Sequence, residues 1–209
     1  MGKYLYITEK PSVAASFAAV LGVQISRPDR ARGYAETQDT LITWCYGHLI
    51  TMVYPDAYNP QYKLWRVQDL PIIPEEYRYT VIPDQGIEKH FDVIKTLMCR
   101  DDVELIYACT DSGREGVYIF RLVYTQSGTA KPAKRVWISA QAEEADKKGI
   151  AEAKDISEYD SLAKSAYCRA KEDWLFGMNF SRIYTCQYGK SLSSFLKEEK
   201  SAVIAIGRV

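Results

Sequence analysis

The stretch that most constrains this chain runs from Glu104 to Val123. Glu104–Cys109 is a short, mostly apolar run that reads as a buried strand. It stops at Thr110 and Asp111 and turns through Ser112 and Gly113. It then resumes with Val117, Phe120, Leu122 and Val123 at helical spacing. Strand, acidic bend and helix follow in the order by which an open α/β sheet builds a ligand site beyond the carboxyl ends of its strands. Two readings of the bend are open. Asp111 and Glu115 are hard oxygen ligands within one turn of chain, which suits a hydrated Mg²⁺, and Arg114 between them can fork onto a phosphate. Alternatively, Asp111 caps the next helix and Glu115 complements its dipole.

The amino terminus repeats the pattern. Lys3–Thr8 reads as a strand, Glu9 and Lys10 follow it, and Pro11 sits where proline favours a first helical turn. Val13, Ala14, Phe17, Ala18 and Leu21 then recur at helical spacing up to Gly22. Glu9 and Lys10 read either as an exposed ion pair or as a proton donor and a phosphate clamp at a helix start. Residues 23–34 read as irregular. Tyr34–Gln38 and Leu41–Cys45 form an expected hairpin. His48 follows it, either as a core histidine bonded to backbone or as a site residue.

Residues 54–74, rich in Pro, Tyr and Asn, read as a packed connection without periodicity. A strand is expected over Tyr77–Ile82, a helix over Gly86–Arg100, a short strand over Arg135–Ile138 and a helix over Ala142–Ala153. Strands alternating with helices imply a largely parallel sheet covered on both faces, hence an α/β fold. In such a sheet the acidic bend and the Glu9–Lys10 pair end strands on the same edge.

Beyond residue 154 the pattern becomes helical: one helix over Ser157–Gly177, a second from Met178 to about Tyr188, a break at Gly189 and Lys190, and a third over Ser193–Lys200. From Ser161 to Lys197 the charged residues are Lys164, Arg169, Lys171, Arg182, Lys190 and Lys197 against Glu172 and Asp173, a local net charge of +4. That stretch reads either as a surface that tracks phosphates or as a solvated helix face. The final run, Ala202–Val209, ends apolar, and further chain is expected after it.

Composition excludes several classes. With 27 basic and 27 acidic residues the chain is formally neutral, so it is no wholly basic nucleic-acid coat. No apolar run approaches the roughly 18 residues of a membrane span, and Met1–Lys10 reads as a strand rather than a signal peptide. No membrane is expected as a partner, and the expected compartment is the cytoplasm. The five cysteines are scattered and form no Cys-x-x-Cys pair, so no zinc ribbon is expected. No Gly-x-x-x-x-Gly-Lys loop occurs, so no ATP is expected.

The chain resembles the amino-terminal part of type IA DNA topoisomerases, in particular the bacterial topoisomerase III group. The resemblance rests on Glu9-Lys10-Pro11-Ser12, Gly47-His48-Leu49, Leu70-Pro71-Ile72-Ile73-Pro74, Asp111-Ser112-Gly113-Arg114-Glu115-Gly116 and Arg135-Val136-Trp137-Ile138-Ser139. It continues through Arg169, Asp173-Trp174, Gly177-Met178-Asn179-Phe180-Ser181-Arg182 and Gly207-Arg208-Val209. It implies a Rossmann-like Toprim domain over residues 1–153, holding carboxylates and Mg²⁺. Residues 154–209 would then start a helical domain that guides single-stranded or underwound DNA. It further implies an ATP-independent isomerase in the bacterial cytoplasm, near the nucleoid.

By this resemblance Glu9, Lys10 and Arg114 would be catalytic, with Glu9 as acid/base and Lys10 on the scissile phosphate. Glu9, Asp111 and Glu115 would hold the Mg²⁺. Lys10, His48, Arg169, Asp173, Arg182 and Arg208 would face DNA. The family's bend usually carries a second aspartate where this chain has Gly113, and often a further acid where it has Val117. Its nucleophilic tyrosine lies downstream, so none of the sixteen tyrosines here is assigned that role. Downstream domains of the same polypeptide would be partners, and the segment alone would not cleave DNA. A Toprim nuclease or primase-like protein, or a non-catalytic single-strand-binding module, are the alternatives.

Overall fold

The computed structural model describes residues 2–138, 142–196 and 202–207. By contact the chain forms two units: residues 1–51 with 80–166, and residues 52–79 with 167–209. The expected division at 153/154 concerns the domains of a longer protein and stays a proposal.

The first unit holds β1 (Lys3–Thr8), α1 (Pro11–Val20), α2 (Arg27–Arg32), β2 (Tyr34–Glu36) and β3 (Thr40–Trp44). After β4 (Ile50–Met52) the chain leaves this unit, and it returns along β5 (Tyr79–Val81). There follow α3 (Gln85–Cys99), β6 (Val103–Cys109), α4 (Arg114–Ser127), β7 (Ala133–Arg135), α5 (Glu143–Ala151), β8 (Lys154–Asp155) and the start of α6 (Asp160–Leu196). The main sheet has the order β2-β3-β1-β6-β7-β8, while β4 and β5 make a separate ribbon. β1 pairs parallel with β3 and with β6, and β6 pairs parallel with β7; the two edge strands are antiparallel. The α/β fold with a largely parallel sheet is as expected.

Local chemistry explains the elements. α3 starts because the Asp84 side chain accepts from the amides of Gly86 and Ile87. It buries Phe91, Ile94, Leu97 and Met98, which recur at helical spacing. One face of the sheet carries Tyr6, Ile42, Trp44 and Val136 against Ala14, Phe17 and Ala18 of α1. Leu5 and Ile7, alternating with Tyr6, are fully buried on the other side of the pleat.

Several expectations change. β4 forms at Ile50–Met52 where no strand was expected, and the strand expected over Arg135–Ile138 lies at Ala133–Arg135. Residues 23–34 contain α2, started by a reciprocal capping box between Ser26 and Asp29; with no buried residue the helix has no apolar period to read. β8, two exposed residues, is too short to show alternation. The breaks expected at Gly177 and Gly189 do not occur, and α6 is one helix of 37 residues. Two helical glycines cost about 1 kcal/mol each, and the contacts α6 makes in the second unit outweigh that. The third helix expected at Ser193–Lys200 falls in part on residues outside those described.

In the second unit Trp174 Nε1 donates to the Val53 carbonyl at 3.0 Å, and the Tyr58 and Tyr77 rings meet Trp174 edge-on. Asn179 grips the backbone of Ile72, accepting from its amide at 2.6 Å and donating to its carbonyl at 2.9 Å. The proline-rich segment, itself folded into short 3₁₀ turns at Pro55–Ala57, Pro60–Lys63 and Val67–Asp69, thus docks through side-chain-to-backbone bonds.

Candidate phosphate site

Chain connectivity places this site. From β1 the chain crosses to β3 on one side and later returns to β6 on the other, so β1 and β6 flank the topological switch point. Glu9 follows β1, and Asp111 lies two residues beyond β6. The Asp111 amide donates to Glu9 Oε2 at 3.3 Å, so the two bends expected to meet do meet. Lys10 Nζ lies 3.5 Å from Glu9 Oε1 and 3.5 Å from Asp111 Oδ2. Both carboxylates, Asp111 the more strongly, push the Lys10 ammonium above the usual lysine range. Glu9 is buried, 8% exposed, whereas the side chains of Lys10 and Asp111 stand about half open to solvent, at 53% and 50%.

The bend is held from beneath by Arg135, 2% exposed. Its Nη1 donates to the Ala108 carbonyl at 3.1 Å and to Thr110 Oγ1 at 2.6 Å, and its Nη2 to the Asp111 carbonyl at 2.6 Å. Its Nε has no hydrogen-bond partner among the described residues, and burial lowers its pKa. In the sequence Arg135 opens a short strand and one of the blocks that carry the resemblance, with no site role; a lone arginine beside apolar residues was the available signal. Thr110 Oγ1 in turn donates to the Gly116 carbonyl at 2.6 Å. A Cβ at Gly116 would lie 2.0 Å from the Asp111 carbonyl oxygen, so only glycine lets α4 start this close to the bend.

Asp111 does not cap α4. The N-cap is Gly113, at φ +144° with no side-chain cap bond, a backbone that L side chains rarely adopt. Glu115 sits in the first turn of α4, as the dipole reading requires. It pairs with His48 Nε2 at 2.7 Å. His48 is therefore a rim residue of this edge. The core histidine is His90, buried with Nε2 2.5 Å from the Trp44 carbonyl oxygen and its pKa lowered by burial. Arg114 is exposed, with Nη1 3.4 Å from Ser165 Oγ.

The expected DNA-facing residues of the second unit are less uniform. Arg169 and Asp173 are half-buried on α6. Arg182 is 5% exposed, donates to the Met178 carbonyl at 2.9 Å and lies 4.9 Å over the Trp65 ring. It is a packed arginine rather than an open phosphate contact. Arg208 lies outside the described residues, as do Ser139 and Lys197. What sequence reading missed is a ladder of exposed rings along α6. Phe176, Phe180, Tyr184 and Tyr188 stack at centroid spacings of 5.4, 6.3 and 6.1 Å. Their spacing of four residues was the available signal.

A six-stranded sheet with parallel pairing at its centre, helices on both faces and an acid–lysine–acid cluster at the switch point defines an α/β domain built to handle a charged ligand at one edge. Residues 4–141 match the Toprim domain family, and the chain belongs to it. It is similar to DNA topoisomerase 3 of Bacillus subtilis (strain 168), 37% identical over 193 residues, which are 92% of this chain and 26% of that protein. It is likewise 37% identical over 191 residues to DNA topoisomerase 3 of Staphylococcus epidermidis, covering 91% of this chain and 26% of the relative. The chain thus spans about a quarter of the length of these relatives. Full-length topoisomerase I from Thermotoga maritima has the same fold, with a TM-score of 0.58 and 19% identity over 87% of this chain and 26% of that one.

The resemblance implies a divalent metal at this site, so the donor set can be tested for fit. Among the described residues no three His, Cys, Asp or Glu side chains gather as a metal-holding set. Glu9 and Asp111 converge on Lys10, and Glu115 turns to His48. The single shell expected from Glu9, Asp111 and Glu115 is not assembled, and the residues as placed do not fit a divalent cation.

Proposed function

We propose that this chain is the phosphate-handling, strand-guiding part of a type IA DNA topoisomerase acting in the bacterial cytoplasm. The full protein would open one strand, pass DNA through the gap and reseal it, without ATP and with a tyrosine nucleophile supplied from outside these residues. The observation that carries the reading is the meeting of Glu9 and Lys10 with Asp111 at the switch point. An ammonium beside a buried carboxyl group is the pair that a phosphodiester exchange needs. Lys10 balances charge developing on the phosphate oxygens, and Glu9 takes the proton of the attacking hydroxyl and returns it to the leaving oxygen. Arg114, exposed at the start of α4, supplies a second cation that can fork onto phosphate.

The ring ladder on α6, with Lys190 beyond it, supports single-stranded rather than duplex DNA as the ligand, because unpaired bases expose faces for stacking. Arg169 and Asp173 belong to the same proposed surface. No helix among the described residues is long and apolar enough to cross a membrane. Fluorescence anisotropy with labelled single-stranded and duplex oligonucleotides tests the reading. Binding should favour the single strand, weaken as salt rises and weaken further in Lys10→Ala and Arg114→Ala. Residues 1–209 alone should form no covalent 5′-phosphotyrosyl adduct. Equal binding of the two DNA forms, insensitive to both substitutions, would sink the proposal.

A further inference from the structure

Besides Asp146, buried on the cavity wall beside Asp111, four charged groups meet at the switch point. Glu9 and Asp111 carry two negative charges; Lys10 lies 3.5 Å from each, and the Arg135 guanidinium sits directly behind the bend, bonded to the Asp111 carbonyl at 2.6 Å. The two cations cancel the two anions. A site for a divalent ion needs the opposite arrangement, a surplus of negative oxygen donors with open positions. The one further acid on the bend, Glu115, is turned away onto His48 at 2.7 Å. The bend itself offers nothing more. Gly113, at its centre, is in a conformation that disfavours any side chain, and among the described residues no atom outside its own neighbours lies within 4 Å of where its Cβ would be.

We propose that this site, on the functional reading above, binds nucleic-acid phosphate without a resident divalent cation, the Lys10 ammonium standing between Glu9 and Asp111 where a metal ion would bridge them. Lys10 suits that place because it is a compact point charge on a flexible stem and remains half exposed. Its two 3.5 Å contacts are longer than charge-assisted bonds of about 2.7–2.9 Å, so an arriving phosphate oxygen can draw the ammonium outward. Arg135 cannot follow, since backbone carbonyls and Thr110 hold it. It keeps the acid pair compensated while Lys10 is engaged.

Two measurements on the chain as it stands decide the matter. Isothermal titration of MgCl₂ should show no saturable binding to the wild type. A single-stranded oligonucleotide should bind no more tightly in Mg²⁺ than in EDTA at matched ionic strength. Lys10→Met frees the carboxylate pair, so it should gain saturable Mg²⁺ binding, which Lys10→Met/Asp111→Asn should lose again. Saturable Mg²⁺ binding by the wild type that disappears in Asp111→Asn overturns the inference. A Lys10→Met protein that stays silent toward Mg²⁺ overturns the assignment of Lys10 as the bridging cation. Absence of oligonucleotide binding in both buffers counts against the proposed function, while the Mg²⁺ titrations still decide this inference.

Discussion

The two ends of the β1–β6 strand pair carry similar charges and use them differently. At the amino ends, Arg100 forks onto Glu36 at 2.7 and 3.2 Å and onto Asp102 at 2.8 and 2.7 Å, while Lys3 reaches Glu36 at 3.0 Å. Glu36 and Asp102 are both gripped at hydrogen-bond distance, and the network ties β2 to the start of β6. At the carboxyl ends, Lys10 stands 3.5 Å from two acids and forks onto neither, and Arg135 is spent on backbone carbonyls. The first cluster is satisfied within the fold. The second is compensated in charge yet loose in geometry, so a ligand can rearrange it at little cost. Proximity of opposite charges does not separate a structural network from a site; bond length and bidentate geometry do.

Four substitutions break or sharpen that contrast. The largest effect should come from Arg135→Met, which strips the bend of its buried donor. Unmet buried acceptors cost about 1–3 kcal/mol each, so a loss of about 3 kcal/mol in urea unfolding is expected, with an unchanged m-value. A loss smaller than that of Arg100→Ala would mean that the bend is not held from beneath. Gly116→Ala follows, at about 2 kcal/mol, because overpacking against the Asp111 carbonyl must move backbone. Its oligonucleotide affinity should fall with its stability, since the same shift displaces Asp111.

Arg100→Ala should cost about 1 kcal/mol near pH 7, a charged hydrogen-bond value discounted for partial exposure. Hydrogen bonds from Arg100 hold the Glu36 and Asp102 carboxyl groups below their usual ranges. Groups with lowered folded values stabilise the protein above their ordinary pKa and lose that stabilisation as pH falls through the folded value. The gap between wild type and Arg100→Ala in thermal melts should therefore be full at neutral pH and close progressively below about pH 4. A gap that widens in acid would contradict the structural role of this end. His48→Gln should change stability least, by under about 0.5 kcal/mol, as an exposed rim pair; a larger loss would make Glu115–His48 part of the scaffold.

The sequence by itself determined the α/β class, the strand–bend–helix order at Glu104–Val123 and the edge on which Glu9, Lys10 and Asp111 would lie, because alternation and helical spacing are local signals read along the chain. The blocks at Leu70–Pro74 and Asn179 were also visible as separate stretches, though not that one grips the other. Tertiary structure alone decided that α6 runs through Gly177 and Gly189, since packing in the second unit outweighs helix propensity. It also decided that Arg135 lies under the acidic bend, that His90 rather than His48 is the core histidine, and that Glu115 turns to His48 instead of joining Glu9 and Asp111. Each of these depends on which residues distant in sequence arrive within about 3 Å of one another, the range of a hydrogen bond, and no local pattern encodes that distance.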